Sequence, residues 1–212
     1  ARIFCKLDYL QRTGSFKERG ARNALLKLDD ARRRRGVIAA SAGNHAQGVA
    51  YHGALLDIPV TVVMPQFAAL IKVTNCRQLG ARIVLHGADL SDARVMAEQM
   101  ARDEGLTFIH PFDNADVIAG QGTMALEILE QVPTLDAIVV PVGGGGLLSG
   151  IGTVMRHDRP EVTVVGVEPE HAASLTAGLA QGSPVSVTLA PTLADGLAVP
   201  AIGALPFALL RE

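Results

Sequence analysis

The sequence Thr13-Gly14-Ser15-Phe16-Lys17-Glu18-Arg19-Gly20-Ala21 joins an apolar run, Ile3 to Leu7, to the first predicted helix. Ser15 and Glu18 have the spacing of a capping box, which predicts that Ser15 caps this helix. Lys17 then lies in the first turn, where the positive end of the helix dipole disfavours a cation. A lysine there, beside small and aromatic residues, can have a lowered pKa and act as an amine nucleophile. The alternative is an ordinary solvated lysine.

Short β-branched runs alternate with longer helical segments along the chain. The predicted strands are 3–7, 37–40, 60–63, 82–85, 107–109, 137–140 and 163–167. The predicted helices are 17–28, 45–56, 69–79, 92–104, 117–131, 147–156 and 172–180, with a short one near 207–210. Strict alternation predicts an α/β protein with parallel sheet and helices on both faces. The segment 137–141 is apolar throughout, as expected for a strand covered on both sides.

Composition excludes several classes of protein. The net charge of -2 over 212 residues gives no sign of a nucleic-acid or acidic-membrane partner. Arginines 32–35 are expected to end a helix before Gly36 rather than to form a basic patch. Cys5 and Cys76 form no CxxC motif, which favours a reducing, cytoplasmic compartment. The uncharged run 137–155 contains a proline and four glycines, so a strand, a loop and a helix explain it better than a membrane span.

Two turns that each follow a strand and open a helix are candidate binding sites, because ligands of parallel sheets bind at the carboxyl ends of strands. The first is Ser41-Ala42-Gly43-Asn44-His45-Ala46-Gln47-Gly48. Its free backbone N–H groups could bind a substrate carboxylate. The alternative is an ordinary helix start that Asn44 caps.

The second turn is Gly143-Gly144-Gly145-Gly146-Leu147. Four adjacent glycines indicate unusual dihedral angles or close approach of a ligand, and consecutive N–H groups at a helix start can hold a phosphate. The turn matches neither GxGxxG nor a P-loop, which disfavours a dinucleotide, a plain Rossmann dehydrogenase or a nucleoside triphosphate. A tight strand–helix turn without a ligand is the alternative.

A candidate amine nucleophile, a carboxylate turn and a monophosphate cradle are the parts that pyridoxal phosphate and an amino acid need. With these and four further motifs, the chain resembles the serine/threonine dehydratases of the fold-type II pyridoxal-phosphate enzymes. The further motifs are Gly-Ala-Arg-Ile-Val-Leu-His-Gly at 80–87, Val-Ile-Ala-Gly-Gln-Gly-Thr at 117–123, Gly-Val-Glu-Pro at 166–169 and Thr-Leu-Ala-Asp-Gly at 192–196, besides the tetraglycine.

The resemblance implies a tryptophan synthase β-like fold with two parallel-sheet α/β subdomains and the active site in the cleft between them. Residues 1–35 and 114–212 would form the large cofactor-binding subdomain, and residues 36–113 the small one. The chain starts inside a predicted strand and family members are longer, so we expect it to lack parts at both ends. The group that faces the pyridine nitrogen and any regulatory domain would lie in those parts.

The resemblance also implies roles for single residues. Lys17 would attach the cofactor and move the α-proton, Phe16 would pack beside the cofactor ring, and Asn44 would bind its 3′-oxygen. The phosphate would lie at Gly143, Gly144, Gly145, Gly146 and Leu147. The substrate carboxylate would lie at Ser41, Ala42, Gly43, Asn44 and His45.

Two positions depart from relatives within the family. Ala42 stands where serine racemases carry a second serine, so elimination is favoured over racemisation. Glu168 matches an acidic residue that helps bind a monovalent or divalent cation in some members, but Ser174 stands where those members often have aspartate.

The activity that the resemblance implies is deamination of L-threonine to 2-oxobutanoate and ammonia, with L-serine giving pyruvate, in threonine catabolism or isoleucine biosynthesis. The alternatives are a serine dehydratase, a serine racemase, a hydroxyaspartate lyase, or a truncated chain that binds pyridoxal phosphate without turnover. A homo-oligomer is expected by analogy with the family.

Overall fold

The computed structural model describes residues 2–211, and it divides the chain into two compact units. The first unit ends at Pro111 and the second begins at Phe112. This boundary lies close to the end of the predicted small subdomain at residue 113. The assignment of residues 1–35 to a large subdomain stays a prediction.

The first unit carries helices on a four-stranded parallel sheet. In chain order it contains a 3-10 turn (Asp8–Leu10), α1 (Lys17–Leu26), α2 (Asp30–Arg35), β1 (Val37–Ala40), α3 (Asn44–Leu55), β2 (Val60–Met64), α4 (Leu70–Gln78), β3 (Arg82–Leu85), α5 (Leu90–Glu104) and β4 (Thr107–Phe108). The strand order is β3-β2-β1-β4, and neighbouring strands run parallel. As expected, α2 ends at Gly36 with its arginines in the last turn.

Burial in this sheet agrees with the apolar pattern of its strands. Every residue of β1 and β2 is buried, which fits parallel strands covered on both faces. Ile38, Ala40 and Val63 of these strands pack against Ala93 and Ala97 of α5. The register places Val37 beside Val60 on one side and Thr107 on the other, so the carboxyl ends of β1 and β2 lie at one edge of the sheet.

The second unit is built on a two-stranded parallel sheet. It contains α6 (Ala115–Gln131), β5 (Ala137–Pro141), α7 (Gly146–Asp158), β6 (Thr163–Val167), a 3-10 turn (Glu170–Ala172), α8 (Ser174–Gln181), another 3-10 turn (Asp195–Leu197) and α9 (Ala204–Leu210). α6 and α7 cross closely at two glycines. A Cβ on Gly150 would lie 2.4 Å from the carbonyl oxygen of Ile118 and 2.6 Å from the nitrogen of Gly122.

Two sequence-based predictions about strands are wrong for the described residues. Ile3 to Leu7 is irregular and its apolar side chains are exposed, because apolar residues form a strand only where a neighbour completes the ladder. β5 is covered on one face: Ile138 and Val140 are buried, whereas Val139 is 66% exposed. The other strands and the helices lie close to their predicted bounds.

None of the helices within residues 2–211 combines the length and the apolarity that a membrane span requires.

Candidate active site

The amine of Lys17 is held in place at the first residue of α1. The Nζ atom donates a hydrogen bond of 2.8 Å to the carbonyl oxygen of Pro111. The ring of Phe16 lies beside it, with its centroid 5.3 Å from Nζ. The backbone N–H of Lys17 donates to the hydroxyl of Ser15 at 3.3 Å, which fixes the turn that leads into the helix. Backbone and side chain of Lys17 are therefore both restrained.

Burial lowers the pKa of Lys17 from 10.5 to about 8. The physical cause is loss of hydration, which disfavours the charged ammonium. The lowered pKa agrees with the sequence-based expectation, although that expectation invoked the helix dipole. A sizeable fraction of the amine is neutral just above pH 7, and the neutral amine is the form that attacks a carbonyl group.

The predicted capping box is wrong, because the carboxylate of Glu18 is used elsewhere. Glu18 accepts a short hydrogen bond from the backbone N–H of Thr13, five residues before it. The N-cap position of α1 is occupied by Phe16, and Ser15 lies one residue earlier. A helix does start here, as the motif predicts, but the carboxylate of Glu18 reaches back to Thr13 instead of to Ser15.

The turn after β1 presents backbone N–H groups and an exposed amide side chain. α3 begins at Asn44, so the N–H groups of its first turn have no acceptor within the helix. The N-cap is Gly43, not Asn44, and the side chain of Asn44 is exposed and open to a ligand. The hydroxyl of Ser41 accepts the N–H of Gly43 at 3.1 Å, which closes a short turn just before α3. Ala42 contributes only a methyl group here.

His45, the second residue of α3, is a buried neutral imidazole. Its Nε2 lies 2.9 Å from the carbonyl oxygen of Ile109 and must donate, because a carbonyl only accepts. Burial and then the charge of Lys17 lower the pKa of His45 to about 3. The Nδ1 atom is left as a buried acceptor that has no partner among the described residues. Lys17 and His45 thus bind carbonyl groups of the same short segment, Ile109 to Pro111.

The glycine turn of the second unit has the geometry that its sequence predicted. Gly145 is the N-cap of α7 and has φ +87°, a left-handed conformation that favours glycine. A Cβ on Gly144 would lie 2.3 Å from the ring of Phe112, so this position also excludes a side chain. The N–H groups that open α7 at Gly146 and Leu147 have no acceptor within the helix, which suits an anion such as a phosphate. These residues fit a monophosphate group.

Glu168 lies in the second unit and acts as a helix cap. Its carboxylate accepts the backbone N–H groups of Leu175 and Thr176 at 2.7 and 2.9 Å, and the hydroxyl of Thr176 at 2.7 Å. Within residues 2–211, no three or more His, Cys, Asp or Glu side chains are grouped so that they could hold a metal ion. A cation at Glu168 stays a prediction.

Sequence reasoning missed the functional contacts that involve distant residues. The carbonyl groups of Ile109 and Pro111 fix His45 and Lys17, but a backbone carbonyl carries no signature in the sequence. The sequence did contain one indication: these residues follow the last strand of the first sheet, and ligands of parallel sheets bind at the carboxyl ends of strands.

In the first unit, a lysine amine of lowered pKa lies near the helix start of α3, and the second unit, taken by itself, presents a glycine turn at the start of α7. Each of these features fits an enzyme that attaches a phosphorylated carbonyl cofactor. Comparison with known proteins agrees. The model of the family described as "Pyridoxal-phosphate dependent enzyme" matches residues 1–212, and the chain belongs to that family. Pyridoxal phosphate is the cofactor of its members.

Relatives with assigned activities cover the chain almost completely. It is 48% identical over 210 residues, 99% of its length, to the L-threonine ammonia-lyase of Thermotoga maritima. It is 44% identical over 212 residues, its whole length, to the L-threo-3-hydroxyaspartate ammonia-lyase of Saccharomyces cerevisiae. Among solved structures, the processed threonine deaminase isoform 2 of Solanum lycopersicum superposes on 98% of the chain with a TM-score of 0.94 and 42% identity.

The chain spans about half to two thirds of the length of these relatives. It covers 52% of the Thermotoga protein, 65% of the yeast protein and 60% of the tomato chain.

Proposed function

We propose that this chain carries the catalytic lysine of a pyridoxal-phosphate ammonia-lyase that converts L-threonine to 2-oxobutanoate and ammonia, and L-serine to pyruvate. The observation that carries the proposal is the amine of Lys17, which is buried, held by Pro111 and lowered in pKa to about 8. Similarity to a threonine ammonia-lyase over nearly the whole chain supports the choice of reaction.

The residues that would hold the cofactor belong to both units. Lys17 would attach it, Phe16 would pack against its ring, and Asn44 would donate to its 3′-oxygen from the exposed start of α3. The N–H groups at Gly143 to Leu147 would bind its phosphate. When bound, pyridoxal phosphate supplies an electron sink for the negative charge left at the substrate Cα.

The protein side of the reaction is proton transfer and anion binding. The first-turn N–H groups of α3, between Ser41 and His45, would bind the substrate carboxylate and orient the Cα–H bond. Lys17 would take the α-proton, since an amine with a pKa near 8 is a good base near neutral pH. Loss of the β-hydroxyl as water and hydrolysis of the product would then give the 2-oxo acid and ammonia.

His45 would keep the base active by staying neutral. A positive imidazole near Lys17 would further lower the affinity of the amine for protons, and it would also compete for the substrate carboxylate. Burial and the charge of Lys17 favour the neutral ring, and the donor bond from Nε2 to Ile109 determines which of its two tautomers is present.

A second candidate is deamination of a 3-hydroxyaspartate, favoured by 44% identity to the yeast enzyme of that name. Threonine and 3-hydroxyaspartate differ only at the β-substituent, a methyl group or a carboxylate. Racemisation of serine is less well supported, because Ala42 offers no hydroxyl to protonate the second face of the substrate.

The chemistry is tested by trapping and by product assay. Borohydride reduction with pyridoxal phosphate should add a stable mass to the peptide that contains Lys17, and Lys17→Ala should remove it. Formation of 2-oxo acid from L-threonine, L-serine and L-threo-3-hydroxyaspartate should be lost in the same variant and should rank the substrates. A Lys17→Ala protein that deaminates threonine at the wild-type rate would contradict the proposal. Cofactor attachment without turnover of any substrate would favour the non-catalytic alternative.

We further propose a cytoplasmic homo-oligomer. The free thiols of Cys5 and Cys76 suit a reducing compartment. Exposed apolar side chains, including Phe4, Leu10 and Val139, are candidates for burial against another copy. Analytical ultracentrifugation of the natural protein would test the oligomer.

A further inference from the structure

Glu18, the residue after Lys17, is buried and its carboxylate joins three segments of the first unit. It is 6% exposed, and a buried carboxylate is retained only where its oxygens have partners. One oxygen, Oε1, accepts the backbone N–H of Thr13 from the turn before α1. The other, Oε2, lies 3.4 Å from Nε2 of His52, which belongs to α3.

His52 is suited to be a neutral donor to this carboxylate. Burial lowers the pKa of His52, although the charge of Glu18 opposes the shift. A neutral ring that donates from Nε2 leaves Nδ1 as an acceptor, and that atom is buried with no partner among residues 2–211. Within residues 2–211, the contact with Glu18 is the one that compensates the burial of His52, since the charge of Arg22, which also acts on the ring, disfavours its protonated form.

The next residue along the helix is also anchored. Arg19 donates from Nε and Nη2 to the two oxygens of Asp8, at 2.7 and 3.0 Å, in a fork-shaped pair. The side chains of both residues are about nine-tenths buried. Glu18 and Arg19 point in directions about 100° apart around the helix axis, because an α-helix has about 3.6 residues per turn.

The backbone of α3 lies directly against the peptide of Lys17. A Cβ on Gly48 would lie 3.3 Å from the carbonyl carbon and oxygen of Lys17, so α3 reaches this close only because residue 48 is glycine. The bridge from Glu18 to His52 joins the same two helices one turn further along α3.

We propose that Glu18 is a positioning residue for Lys17: by joining the Thr13 turn, α1 and α3, it fixes the rotation of α1 about its axis and hence the place of the amine. A helix with its side chains is about 10–12 Å across, so a rotation of about 10° moves a side-chain tip by about 1 Å. A misplacement of about 1 Å can cost on the order of 100-fold in rate. The inference rests on the proposed role of Lys17 as the attachment amine.

A direct effect of the Glu18 charge on Lys17 would be a different mechanism, and it has the opposite sign. A carboxylate near an ammonium favours the charged form, so removing the charge alone would lower the pKa of Lys17. Loss of positioning would let the amine leave its buried place and would raise its pKa from about 8 towards 10.5.

The test compares the wild-type chain with Glu18→Ala, Glu18→Gln and the control Glu98→Gln. Glu98 pairs with Arg94 on the exposed surface of α5, also in the first unit. The first readout is the pH dependence of acetylation of Lys17 in the cofactor-free protein, measured by peptide mass analysis. The second is the rate at which pyridoxal phosphate becomes trapped at Lys17 by borohydride, and thermal melting monitors folding.

The expected result is attachment at least tenfold slower in Glu18→Ala, with the labelling pKa of Lys17 raised. Glu18→Gln should be intermediate, because its amide oxygen still accepts the N–H of Thr13, and Glu98→Gln should match the wild type. A folded Glu18→Ala protein with wild-type attachment and an unchanged or lowered labelling pKa would overturn the proposal.

If Glu18→Ala does not fold, the proposal is overturned by a Glu18→Gln protein whose attachment rate and labelling pKa of Lys17 both equal those of the wild type. If the wild type itself does not attach the cofactor at Lys17, the proposed function fails, and the acetylation pKa of Lys17 still decides whether Glu18 positions the amine.

Discussion

Replacing Lys17 with methionine should stabilise the cofactor-free protein at neutral pH, although it removes the proposed attachment amine. Methionine has nearly the length of lysine and needs no hydration, so it keeps most of the packing and removes the buried charge. The increase in the free energy of unfolding measures how strongly the folded state disfavours the charged form of Lys17.

The size of the effect follows from the pKa of Lys17. A fall from 10.5 to about 8 corresponds to an upper limit of about 3.4 kcal/mol for holding the ammonium in the folded state, at about 1.36 kcal/mol per pKa unit. Although the amine of Lys17 is buried, the residue as a whole is only partly shielded from solvent, which reduces this figure. In addition, the carbonyl of Pro111 loses its donor at a cost of about 1 kcal/mol. The net gain should be about 1–2 kcal/mol, or about 2–8 °C in Tm for a chain of this size.

The pH dependence has a definite sign. The folded-state pKa of Lys17 is lowered, so between about pH 8 and 10.5 the unfolded chain binds more protons than the folded one. The contribution of Lys17 to the free energy of unfolding therefore rises with pH through that window. The advantage of Lys17→Met should be largest below pH 8 and should fade as the pH approaches 10.5.

The assay is urea or thermal unfolding of cofactor-free protein at several pH values between 7 and 10.5. Lys27→Met is the matched control, because Lys27 follows the last residue of the same helix and is exposed. The control should show no gain that fades with pH. The reasoning is refuted if Lys17→Met is less stable than the wild type at pH 7, or if the difference between them does not shrink above pH 8.

Three further variants test other parts of the site. Gly145→Ala should weaken cofactor binding and destabilise the fold by about 1–2 kcal/mol, because the φ of Gly145 is +87°. Its control is Gly152→Ala in α7, where an added Cβ would lie 4.0 Å from its nearest atom. This control should be neutral or stabilising in the same melting and binding assays. His45→Leu should reduce the loss of stability at acid pH. In the wild type, the lowered folded-state pKa of His45 makes the free energy of unfolding fall as the pH drops from 6.5 towards about 3, by about 2 kcal/mol at pH 5. Substitution of the exposed His157 should leave this pH dependence unchanged. Gly48→Ala should cost about 1–3 kcal/mol and slow cofactor trapping, because its methyl group would press on the α1 backbone; unchanged trapping in a folded variant would contradict the close packing of α1 and α3.

The parts of the fold that the sequence predicted are those that local chemistry determines. Buried parallel strands such as Val60–Met64 need apolar residues on both faces, and a left-handed N-cap such as Gly145 favours glycine. The start of α1 at Lys17 was also predictable, since small, polar residues precede it. These signals come from a few neighbouring residues, so they can be read without knowing the rest of the fold.

The parts that the sequence did not predict depend on distant partners. Glu18 follows Ser15 with capping-box spacing, yet its carboxylate binds Thr13 and His52, and a sequence pattern cannot rank a distant partner against a local one. The exposed face of β5 is a second case. Val139 is as apolar as its buried neighbours, and composition alone does not say on which face a covering element lies.

The strongly restrained turn at Lys17 is consistent with the chemistry that we propose for the lysine. Burial lowers the pKa of an amine because it removes water from the charged form. The same loss of hydration favours any conformation in which the ammonium returns to solvent. The pair of Arg19 with Asp8, the bridge of Glu18 to His52 and the contact of Gly48 each oppose that movement by restraining backbone or neighbouring side chains without neutralising the amine. A carboxylate placed directly on Nζ would have held it more simply, but it would have raised the pKa and removed the neutral base. Restraint through the residues after Lys17 keeps the amine both buried and reactive.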